Sequence, residues 1–497
     1  MNSQAEHPRD APPDSPLFVT SRYNFFFPLP DGEGVLAYNS VMNSLLAIGG
    51  ALHEELVERS GGAGPFPLDD AMRPLAAHGF LVPSTFDELD AIRQRKRGLQ
   101  SDRGSLGLTI APTLSCNFGC AYCFQEHPPA FMSREVEAAL VRWVESEAER
   151  SLQGMGVSWF GGEPLLAPKT ILRLSQAFSA LSQRYGFELR PANIITNGWG
   201  LTRANCRLLA ECGIASMQVT LDGLAELHDQ RRTSRDGGAT FDRIVSGIET
   251  ALELIPGVSV TVRMNVDAAN CEDIPRLEEF LGERSLLDRV TFNPSDVERY
   301  TGCSKVGEVF DRQQWFDVRH HFDRERVSRG EIPRQFPSVV AGPYCSALRE
   351  NSFVVSPTGA LFKCWTELSL DESRSVGHLL AGTLRDSPSE QEAAAQFEGW
   401  DVTSDPECSQ CRVLPICGGG CVWRGMISTP GASKPRKLCS PYKFGNNLER
   451  AVRLMYHASD PGSRGSLPPD LSGMETLPGP LAGRTRRQLP VLQSRPS

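Results

Sequence analysis

The spacing of the cysteines constrains this chain more than any other feature of its sequence. Ten of the 14 cysteines fall into two groups, one within residues 116–123 and one within residues 345–439. The first group is Cys116, Cys120 and Cys123, and the second is Cys345, Cys364, Cys408, Cys411, Cys417, Cys421 and Cys439. Thiolates at this density in a large chain indicate iron–sulfur clusters or zinc rather than core packing.

The first group predicts a metal site with an open coordination position. Its three cysteines stand within the run Ser115–Phe124, and the sequence has no fourth cysteine close by. Three thiolates bind three irons of a cubane and leave the fourth iron free, which distinguishes a reactive site from a closed structural one. An amino-carboxylate group is a suitable chelating ligand for that iron. A zinc knuckle is the alternative interpretation.

The residues around this group predict that it lies at the carboxyl edge of a sheet. Leu106–Ile110 alternates as a strand does, so the cysteines follow its carboxyl end, where barrel enzymes keep their active sites. A second strand-like run, Val157–Phe160, ends in Gly161, Gly162, Glu163 and Pro164. The two glycines allow close approach of the backbone to a ligand, and the carboxylate of Glu163 can balance an ammonium group.

Strand and helix patterns alternate over residues 105–300. This alternation predicts parallel βα units, about six of them, with helices covering one face of the sheet. The further strand candidates are Ile194–Gly198, Met217–Asp222, Val258–Val266 and Arg289–Asn293. Thr202 and Thr240 are predicted to cap two of the helices.

The polar faces of these strands predict a cavity rather than a packed barrel interior. In Val258–Val266, apolar residues alternate with Ser259, Thr261, Arg263 and Asn265. A closed eight-stranded barrel fills its interior with Val, Ile and Leu, so a polar lining predicts a polar ligand. The alternative for Arg263 and Asn265 is a satisfied polar pair at a strand end.

The pattern C-x3-C-x2-C with an aromatic before its last cysteine, followed by Gly161–Pro164, resembles the radical S-adenosylmethionine (SAM) superfamily. The resemblance implies an α/β fold, a partial (β/α)6 TIM-type barrel whose lateral gap admits large substrates. It implies a catalytic [4Fe–4S] cluster on Cys116, Cys120 and Cys123, with the amine and carboxylate of SAM on the open iron. In that family an electron from the cluster cleaves SAM to a 5′-deoxyadenosyl radical, which abstracts hydrogen from a substrate.

The same resemblance implies which side chains contact SAM. Those expected at the SAM amine are Gly161, Gly162, Glu163 and Pro164. Those expected elsewhere around SAM are Thr196, Asn197, Thr220 and Arg232, the last two near its carboxylate and ribose. Arg231 is adjacent to Arg232 and competes for that assignment.

The second cysteine group has the pattern C-x13-G-x4-C, then C-x2-C-x5-C-x3-C, then Cys439. This pattern resembles the SPASM domain of radical SAM enzymes that modify peptides and proteins. The resemblance implies two auxiliary [4Fe–4S] clusters, one with four cysteine ligands and one with three. The implied ligands of the first are Cys408, Cys411, Cys417 and Cys439, and those of the second are Cys345, Cys364 and Cys421.

The three-cysteine cluster lacks a fourth ligand. Some relatives have the fourth ligand at the position that Asn351 occupies here. The fourth iron of this cluster is therefore either open or bound by another group, for which Cys303 is a candidate. A zinc ribbon is the alternative for the whole region, but seven cysteines divide poorly among four-ligand sites. The cysteines outside both groups, Cys206, Cys212, Cys271 and Cys303, are expected to be core or loop residues.

The ends of the chain predict further domains. The predicted ranges are 1–16 (disordered), 17–100 (a small α+β domain), 101–300 (the barrel), 301–344 (a connecting segment), 345–445 (the SPASM domain) and 446–497 (a short helix, then a disordered tail). Tyr23–Tyr38 predicts a hairpin around Pro30–Gly32. With the helices that follow, residues 17–100 resemble the winged-helix-like domains that bind a leader peptide as an added strand. The alternative is a cap that closes one barrel edge.

Composition excludes several partners. The net charge of −9 gives a nucleic-acid partner no electrostatic support. No apolar run approaches the roughly 18 residues of a transmembrane helix, so no membrane association is expected. The first residues lack the apolar segment of a signal peptide, and iron–sulfur clusters favour a reducing interior, so a cytoplasmic location is expected.

These inferences predict a radical SAM/SPASM enzyme that oxidatively modifies a ribosomally made precursor peptide or a protein side chain. Among oxidative modifications, they favour cross-linking. A flavodoxin- or ferredoxin-type protein is the expected electron donor.

Three further functions are compatible with the sequence. The first is that of an anaerobic sulfatase-maturing enzyme, which makes formylglycine. Relatives of that kind have an aspartate base directly after the cysteine equivalent to Cys364, whereas this chain has Trp365–Glu367, with Glu367 expected to be a surface carboxylate. The second is that of a small-molecule radical SAM dehydrogenase, and the third is that of a non-catalytic iron–sulfur scaffold or redox sensor.

Overall fold

The computed structural model describes eight stretches of the chain, residues 16–29, 32–61, 64–298, 308–334, 336–340, 342–343, 345–428 and 438–459. Contacts divide the chain into two units. The first contains Met1–Gln100, Asp323–Cys345 and Trp400–Leu467, and the second contains Ser101–Phe322, Ser346–Gly399 and Pro468–Ser497. The predictions for residues 1–15, Cys303 and residues 460–497 lie outside the described residues, and the predicted domain ranges stay predictions.

The elements of regular structure follow one another along the whole described chain. The strands are β1 Leu17–Thr20, β2 Asn24–Pro28, β3 Gly34–Asn39, β4 Ser44–Gly49, β5 Phe66–Pro67, β6 Leu81–Pro83, β7 Ser105–Ile110, β8 Gly154–Trp159, β9 Glu188–Leu189, β10 Ala192–Thr196, β11 Ile214–Thr220, β12 Ser259–Val266, β13 Val290–Asp296, β14 Ser352–Val355, β15 Ala360–Phe362, β16 Gly377–His378 and β17 Thr383–Leu384. The α-helices are α1 Gly50–Gly61, α2 Arg73–Ala77, α3 Glu88–Gln100, α4 Arg134–Glu149, α5 Pro168–Tyr185, α6 Arg203–Glu211, α7 Ala225–Arg231, α8 Phe241–Leu254, α9 Asp273–Glu283, α10 Arg312–Ser328, α11 Pro388–Glu398, α12 Pro406–Ser409, α13 Leu414–Cys417, α14 Val422–Ser428 and α15 Asn447–Ser459. Short 3-10 turns lie at Pro164–Leu166, Ser346–Leu348, Trp365–Glu367, Val402–Ser404 and Pro441–Lys443.

The second unit contains the predicted βα repeats. Its parallel strands are hydrogen-bonded in the order β13-β12-β11-β10-β8-β7, and at least one α-helix lies between each strand and the next along the chain. The six predicted units are therefore confirmed as a partial-barrel α/β sheet. The sequence did not reveal that the sheet continues: β14 pairs parallel with β7, and β15, β16 and β17 follow as antiparallel strands.

The alternation of β12 is confirmed residue by residue. Val260, Val262 and Met264 are fully buried, whereas the side chains between them are partly exposed on the other face. Arg263 Nε donates to Asn265 Oδ1 at 2.7 Å, so these two residues form the satisfied polar pair that was the alternative interpretation.

The two predicted helix caps have different outcomes. Thr202 accepts a hydrogen bond from the Asn205 N–H and caps α6, as predicted. Thr240 occupies the N-cap position of α8 but its side chain does not cap, so that prediction is wrong. The hydroxyl of Thr240 donates to the Arg232 carbonyl instead, and Asp229 Oδ1 accepts the N–H groups of Thr240 and Phe241.

The first unit begins with the predicted hairpin. β2 and β3 pair antiparallel, β4 adds a third strand, and β5-β1-β6 form a separate small sheet. Pro30 and Asp31 of the predicted turn lie outside the described residues. The central strand β3 is buried along its whole length, which requires packing on both faces.

Each face of β3 packs against a different part of the first unit. Val35 and Ala37 belong to a core with Leu56, Leu75 and Phe80 from the helices and turn that follow the sheet. The opposite face packs with the second cysteine group's segment, in a core of Leu36, Tyr38, Val413, Ile416, Leu448 and Val452. Residues 17–100 therefore share a hydrophobic core with residues beyond Trp400.

The described part of the chain contains no helix with the length and apolar character that crossing a membrane requires.

A truncation in the shared core tests this arrangement. Leu36→Ala removes a side chain that is 1% exposed, so we expect the free energy of unfolding to fall by about 2–5 kcal/mol. The control Leu17→Ala, at a side chain 44% exposed, is expected to change it by only about 0.5 kcal/mol. Urea denaturation measures both, and hydrogen exchange in α15 should speed up only in Leu36→Ala. Equal effects of the two variants, or an α15 that does not respond, would contradict the shared core.

Candidate functional site

The first cysteine group lies on the loop that follows β7, at the carboxyl ends of the parallel strands. Short backbone pairings hold this loop at Thr113 with Phe131 and at Phe118 with Ser234. The N–H of Gly119 also donates to the Thr233 carbonyl at 2.9 Å. The backbone of the loop is therefore fixed between the cysteines as well as at its base.

Polar groups surround the thiols of this loop. The Phe118 N–H donates to Cys116 Sγ at 3.5 Å, and Cys123 Sγ lies 3.3 Å from His127 Nε2. Burial raises the pKa of Cys116 to about 12 and also raises the pKa of Cys120, an effect that the Arg232 guanidinium opposes. Buried thiols of this kind stay protonated until a cation binds, because a coordinated metal deprotonates its thiol ligand.

The donor set fits an iron–sulfur cluster better than a single zinc ion. A structural zinc site needs four ligands that converge on one point. In a cubane each thiolate binds a different iron. Three cysteines on one loop can therefore hold a cluster without their sulfurs meeting at a single metal ion.

The two glycines of the turn after β8 allow the cysteine loop to lie against it. Gly161 has φ +119°, and a Cβ there would lie 2.3 Å from the Thr113 carbonyl oxygen. A Cβ on Gly162 would lie 2.2 Å from the Ser115 carbonyl oxygen and 2.3 Å from that of Leu114. The sequence suggested that these glycines let the backbone approach a ligand, and the structure gives them a backbone neighbour that contains the cysteines.

Glu163 joins three segments of the site. Its carboxylate is 1% exposed and accepts hydrogen bonds from the Leu165 N–H at 2.9 Å, Thr196 Oγ1 at 2.6 Å and the Asn197 N–H at 2.7 Å. Burial raises the pKa of Glu163, and these three hydrogen bonds oppose that shift. Pro164 starts the 3-10 turn that supplies the Leu165 N–H.

Asn197 connects the same network to the cysteine loop. Its Nδ2 donates to Asn117 Oδ1 at 2.8 Å and lies 4.0 Å from Cys116 Sγ, while its Oδ1 accepts the Trp199 N–H. The cysteine loop, the Gly161–Pro164 turn and the end of β10 thus meet at one point, and the expected contact of Thr196 and Asn197 with SAM stays a prediction.

A second polar network lies beside the last two cysteines of the loop. Tyr122 donates its hydroxyl hydrogen to Asp222, and Arg232 Nη1 and Asn265 Nδ2 donate to the Tyr122 oxygen. Asp222 also accepts the Asn265 N–H at 2.9 Å. These contacts connect the ends of β11 and β12 to the cysteine loop through one tyrosine.

The two adjacent arginines have different partners. Arg231 makes a two-pronged ion pair with Asp267, with both distances 3.0 Å, whereas Arg232 faces the cysteine loop. Although burial opposes it, the Cys120 thiol, Tyr122 and Asp222 raise the pKa of Arg232 above its usual range. The Nε–H of Arg232 is buried without a hydrogen-bond partner, so the site offers a donor that suits an anionic ligand such as a carboxylate.

Thr220 is buried at the end of β11, where it pairs with Arg263 in the sheet. Sequence analysis did not identify Asn117, Asp222 or the hydrogen-bonding role of Tyr122. In the sequence, Asp222 was only the last residue of a strand with a polar face, and Tyr122 only the aromatic residue of the cysteine motif. Their positions in the sequence did not reveal that the two side chains contact each other.

The part of the second cysteine group from Cys408 to Cys439 is built on short helices and a glycine run in the first unit, whereas Cys364 belongs to the second unit. Gly418, Gly419 and Gly420 all have positive φ, and a Cβ on Gly419 would lie 2.0 Å from Val402 Cγ1. This turn lies between α13, which ends at Cys417, and Cys421.

Two of its predicted ligands lie close to each other. The Ser440 N–H, next to Cys439, donates to Cys417 Sγ at 3.4 Å, and the Cys411 N–H donates to the Cys408 carbonyl. The assignment of ligands to either auxiliary cluster stays a prediction. Asn351 donates its side-chain N–H to the Arg103 carbonyl at 3.2 Å.

The cysteines outside both groups that the structure describes are Cys206, Cys212 and Cys271, and all three are buried, as expected of core residues. Cys345 is exposed, and Cys364 lies two residues after the end of β15, with its Sγ 3.5 Å from Thr366 Oγ1.

The turn after Cys364 differs from the expectation at Glu367. This carboxylate was expected at the surface, but it is buried and forms an ion pair with Arg374. Burial raises the pKa of Glu367, and the Arg374 guanidinium opposes that shift. Trp365, 47% exposed, instead contacts Phe160, the residue before Gly161, with ring centroids 5.6 Å apart and ring planes tilted by 32°.

Known proteins resemble this chain over the barrel and beyond it. Residues 110–281 match the family model described as the Radical SAM superfamily. The chain is 22% identical over 389 residues to the cysteine-type anaerobic sulfatase-maturating enzyme of Clostridium novyi (strain NT), covering 70% of this chain and 96% of that protein. It is also 22% identical over 371 residues to the PqqA peptide cyclase of Methylocella silvestris, covering 71% of this chain and 92% of that protein.

A solved structure has a similar fold. It is native anSMEcpe with bound AdoMet and the Cp18Cys peptide, and it aligns with a TM-score of 0.56 at 18% identity. The alignment covers 71% of this chain and 99% of that one. At this identity the similarity demonstrates a shared fold.

A methyl group at Gly162 tests the packing of the two loops. Gly162→Ala forces the cysteine loop away from the turn, so we expect a lower melting temperature and at least a several-fold loss of iron retained on the first cysteine group after anaerobic reconstitution. The control is Gly156→Ala in β8, where a Cβ meets no atom within 4 Å. Iron analysis and thermal unfolding of both proteins measure the effect. Normal iron binding by Gly162→Ala would contradict this packing.

Proposed function

Because this chain belongs to the radical SAM superfamily, we propose that it is an enzyme that oxidatively modifies a ribosomally made peptide or a protein side chain. Its cofactors are [4Fe–4S] clusters and SAM. The observation that carries the proposal is the meeting of the cysteine loop, the buried Glu163 and the end of β10 at the carboxyl edge of the sheet.

Each part of this meeting point has a proposed role. Cys116, Cys120 and Cys123 hold the catalytic cluster, which together with SAM supplies a 5′-deoxyadenosyl radical that takes a hydrogen atom from the substrate. Glu163 and its turn orient the SAM amine, and the free Nε–H of Arg232 suits the SAM carboxylate.

Two further SAM contacts are proposed from their positions. Asn197 fixes the loop through Asn117, and Thr220 stands at the neighbouring strand end.

A peptide substrate is supported by two observations. Two of the similar proteins are named as a sulfatase-maturating enzyme and a peptide cyclase. In addition, β2 and β4 are the edge strands of the β2-β3-β4 sheet. An edge strand can accept an extended peptide as an added strand. We therefore propose that residues 17–100 bind the leader part of a precursor peptide.

Deletion of residues 1–100 is a poor test of that role. It would remove half of the core that includes Val413 and Ile416, so the second cysteine group would be disturbed as well. Hydrogen exchange of the intact protein avoids the problem. On addition of a candidate precursor peptide, we expect slower exchange in β2 or β4 with no change in β12, and unchanged exchange at both edges would contradict leader binding there.

The oxidative outcome follows from the second cysteine group. A substrate radical becomes a stable product when it loses an electron, and auxiliary clusters can accept it. This route favours formation of a new bond within the peptide over a redox-neutral inversion. A flavodoxin- or ferredoxin-type donor is proposed to reduce the catalytic cluster.

Formylglycine formation is the second candidate, because the chain resembles a sulfatase-maturating enzyme in sequence and a related fold in structure. The residues after Cys364 argue against it: Trp365 stands where such relatives have the aspartate base, and Glu367 is held by Arg374. Reaction with a cysteine-containing sulfatase-type peptide, followed by aldehyde detection with a hydrazide probe, distinguishes the candidates. An aldehyde would favour formylglycine formation.

Loss of one catalytic cysteine tests the proposed chemistry. Cys123→Ala should lose 5′-deoxyadenosine formation by more than the roughly 10–100-fold expected for removing an outer-sphere partner of a metal site. The control Cys206→Ala removes a buried thiol of α6 and should retain the activity. Chromatography of dithionite-reduced enzyme incubated with SAM measures both. If the intact protein makes no 5′-deoxyadenosine with or without peptides, a non-catalytic scaffold is favoured.

A further inference from the structure

Two lysines lie beside the four cysteines proposed to bind the fully ligated auxiliary cluster. Lys443 Nζ lies 3.7 Å from Cys439 Sγ and also pairs with Glu407, the residue before Cys408. Lys443 is the last residue of the 3-10 turn at Pro441–Lys443, and Ser440, at the N-cap of that turn, donates its N–H to Cys417 Sγ. The turn therefore directs two donors, one of them charged, at two cysteine sulfurs.

The second lysine comes from the N-terminal segment. Lys96 lies on α3, is 8% exposed, and is held near the cysteine segment because its neighbours on the helix contact the 3-10 turn before α12. Arg97 pairs with Asp401, and Arg93 donates to Thr403. Burial lowers the pKa of Lys96, and the negative charges of Cys417, Asp401 and Cys408 oppose that shift.

Charge near a cluster changes its reduction potential. A [4Fe–4S] cluster with four thiolates carries a net negative charge that increases when it accepts an electron. Positive charges and hydrogen bonds to the sulfurs stabilise the reduced form more than the oxidised form and so raise the potential. The field of a partly buried lysine is screened less than that of a surface lysine.

We propose that Lys443 and Lys96 raise the reduction potential of the cluster held by Cys408, Cys411, Cys417 and Cys439. This inference rests on the proposed function, in which the auxiliary clusters accept the electron of the substrate radical. It also gives residues 17–100 a role besides peptide binding, because α3 contributes one of the two charges. Both lysines are positioning residues, since they act on the cluster through its field.

The test compares variants with opposite expected signs. Lys443→Gln removes the positive charge, and we expect the equilibrium constant for reducing this cluster to fall about tenfold, which is 59 mV for one electron. Glu407→Gln removes the negative charge that pairs with the same lysine, and we expect the potential to rise. Lys96→Met, which keeps the side-chain volume, should lower it.

The measurement is a redox titration followed by electron paramagnetic resonance. It uses the full chain, anaerobically reconstituted, with Cys116→Ala, Cys120→Ala and Cys123→Ala so that the catalytic cluster gives no overlapping signal. The signal that disappears on further Cys411→Ala belongs to the cluster in question. Lys443→Arg should restore the potential, and Arg73→Gln, which removes an exposed charge paired with Asp70, should leave it unchanged.

The outcomes separate the inference from the proposed function. If Cys411→Ala changes neither iron content nor any signal, the four-cysteine cluster itself is wrong, and this inference fails with it. If the cluster is present but Lys443→Gln and Glu407→Gln shift its potential in the same direction, or not at all, only the inference is overturned. Opposite shifts with rescue by arginine support it, since damage to the cluster would not change sign.

Discussion

The close packing of the cysteine loop against the Gly161–Glu163 turn is the contact on which the rest of the site depends. Neither glycine has room for a Cβ, so the carbonyl groups of the loop lie directly on the turn. The buried carboxylate of Glu163 then ties the turn to the end of β10, and Asn197 ties β10 back to the loop. Short segments from distant parts of the sequence are fixed in this way without help from any long helix.

Compensation of buried charge is the second constraint, and it recurs at both cysteine groups. At the first group, Arg232 is buried with Asp222 and Tyr122, and the network connects the last two cysteines of the loop to two strand ends. At the second group, Lys443 and Ser440 direct donors at cysteine sulfurs. Cations and N–H groups offset part of the cost of burying thiolate charge, and coordination to a metal supplies the rest.

Sequence reasoning predicted what depends on local pattern and failed where contacts are long-range. The strand periods of β7, β8, β10, β11 and β12 and the cap at Thr202 follow from neighbouring residues and are confirmed. Thr240 failed as a cap because Asp229, eleven residues before it, accepts the N–H groups at the start of α8. The pairing of β14 with β7 was not predicted because it joins segments more than 200 residues apart, and no local signal specifies it.

Gly161, Gly162 and Glu163 show both what the local sequence pattern predicts and which long-range contacts it does not predict. Their motif identified the site, but it did not indicate that the Cβ-free positions face the cysteine loop or that the carboxylate is fully buried. Likewise, Glu367 looked like a surface residue because its sequence neighbours did not reveal that it is buried and paired with Arg374, seven residues away.

The central claim is that the iron left free by Cys116, Cys120 and Cys123 binds the amine of SAM. Electron–nuclear double resonance on the dithionite-reduced protein, with SAM labelled with nitrogen-15 at its amine, tests it directly. The account predicts a hyperfine coupling from the label that requires direct bonding to iron and that is absent in Cys123→Ala. A reduced cluster whose spectrum shows no coupling to the label would contradict it.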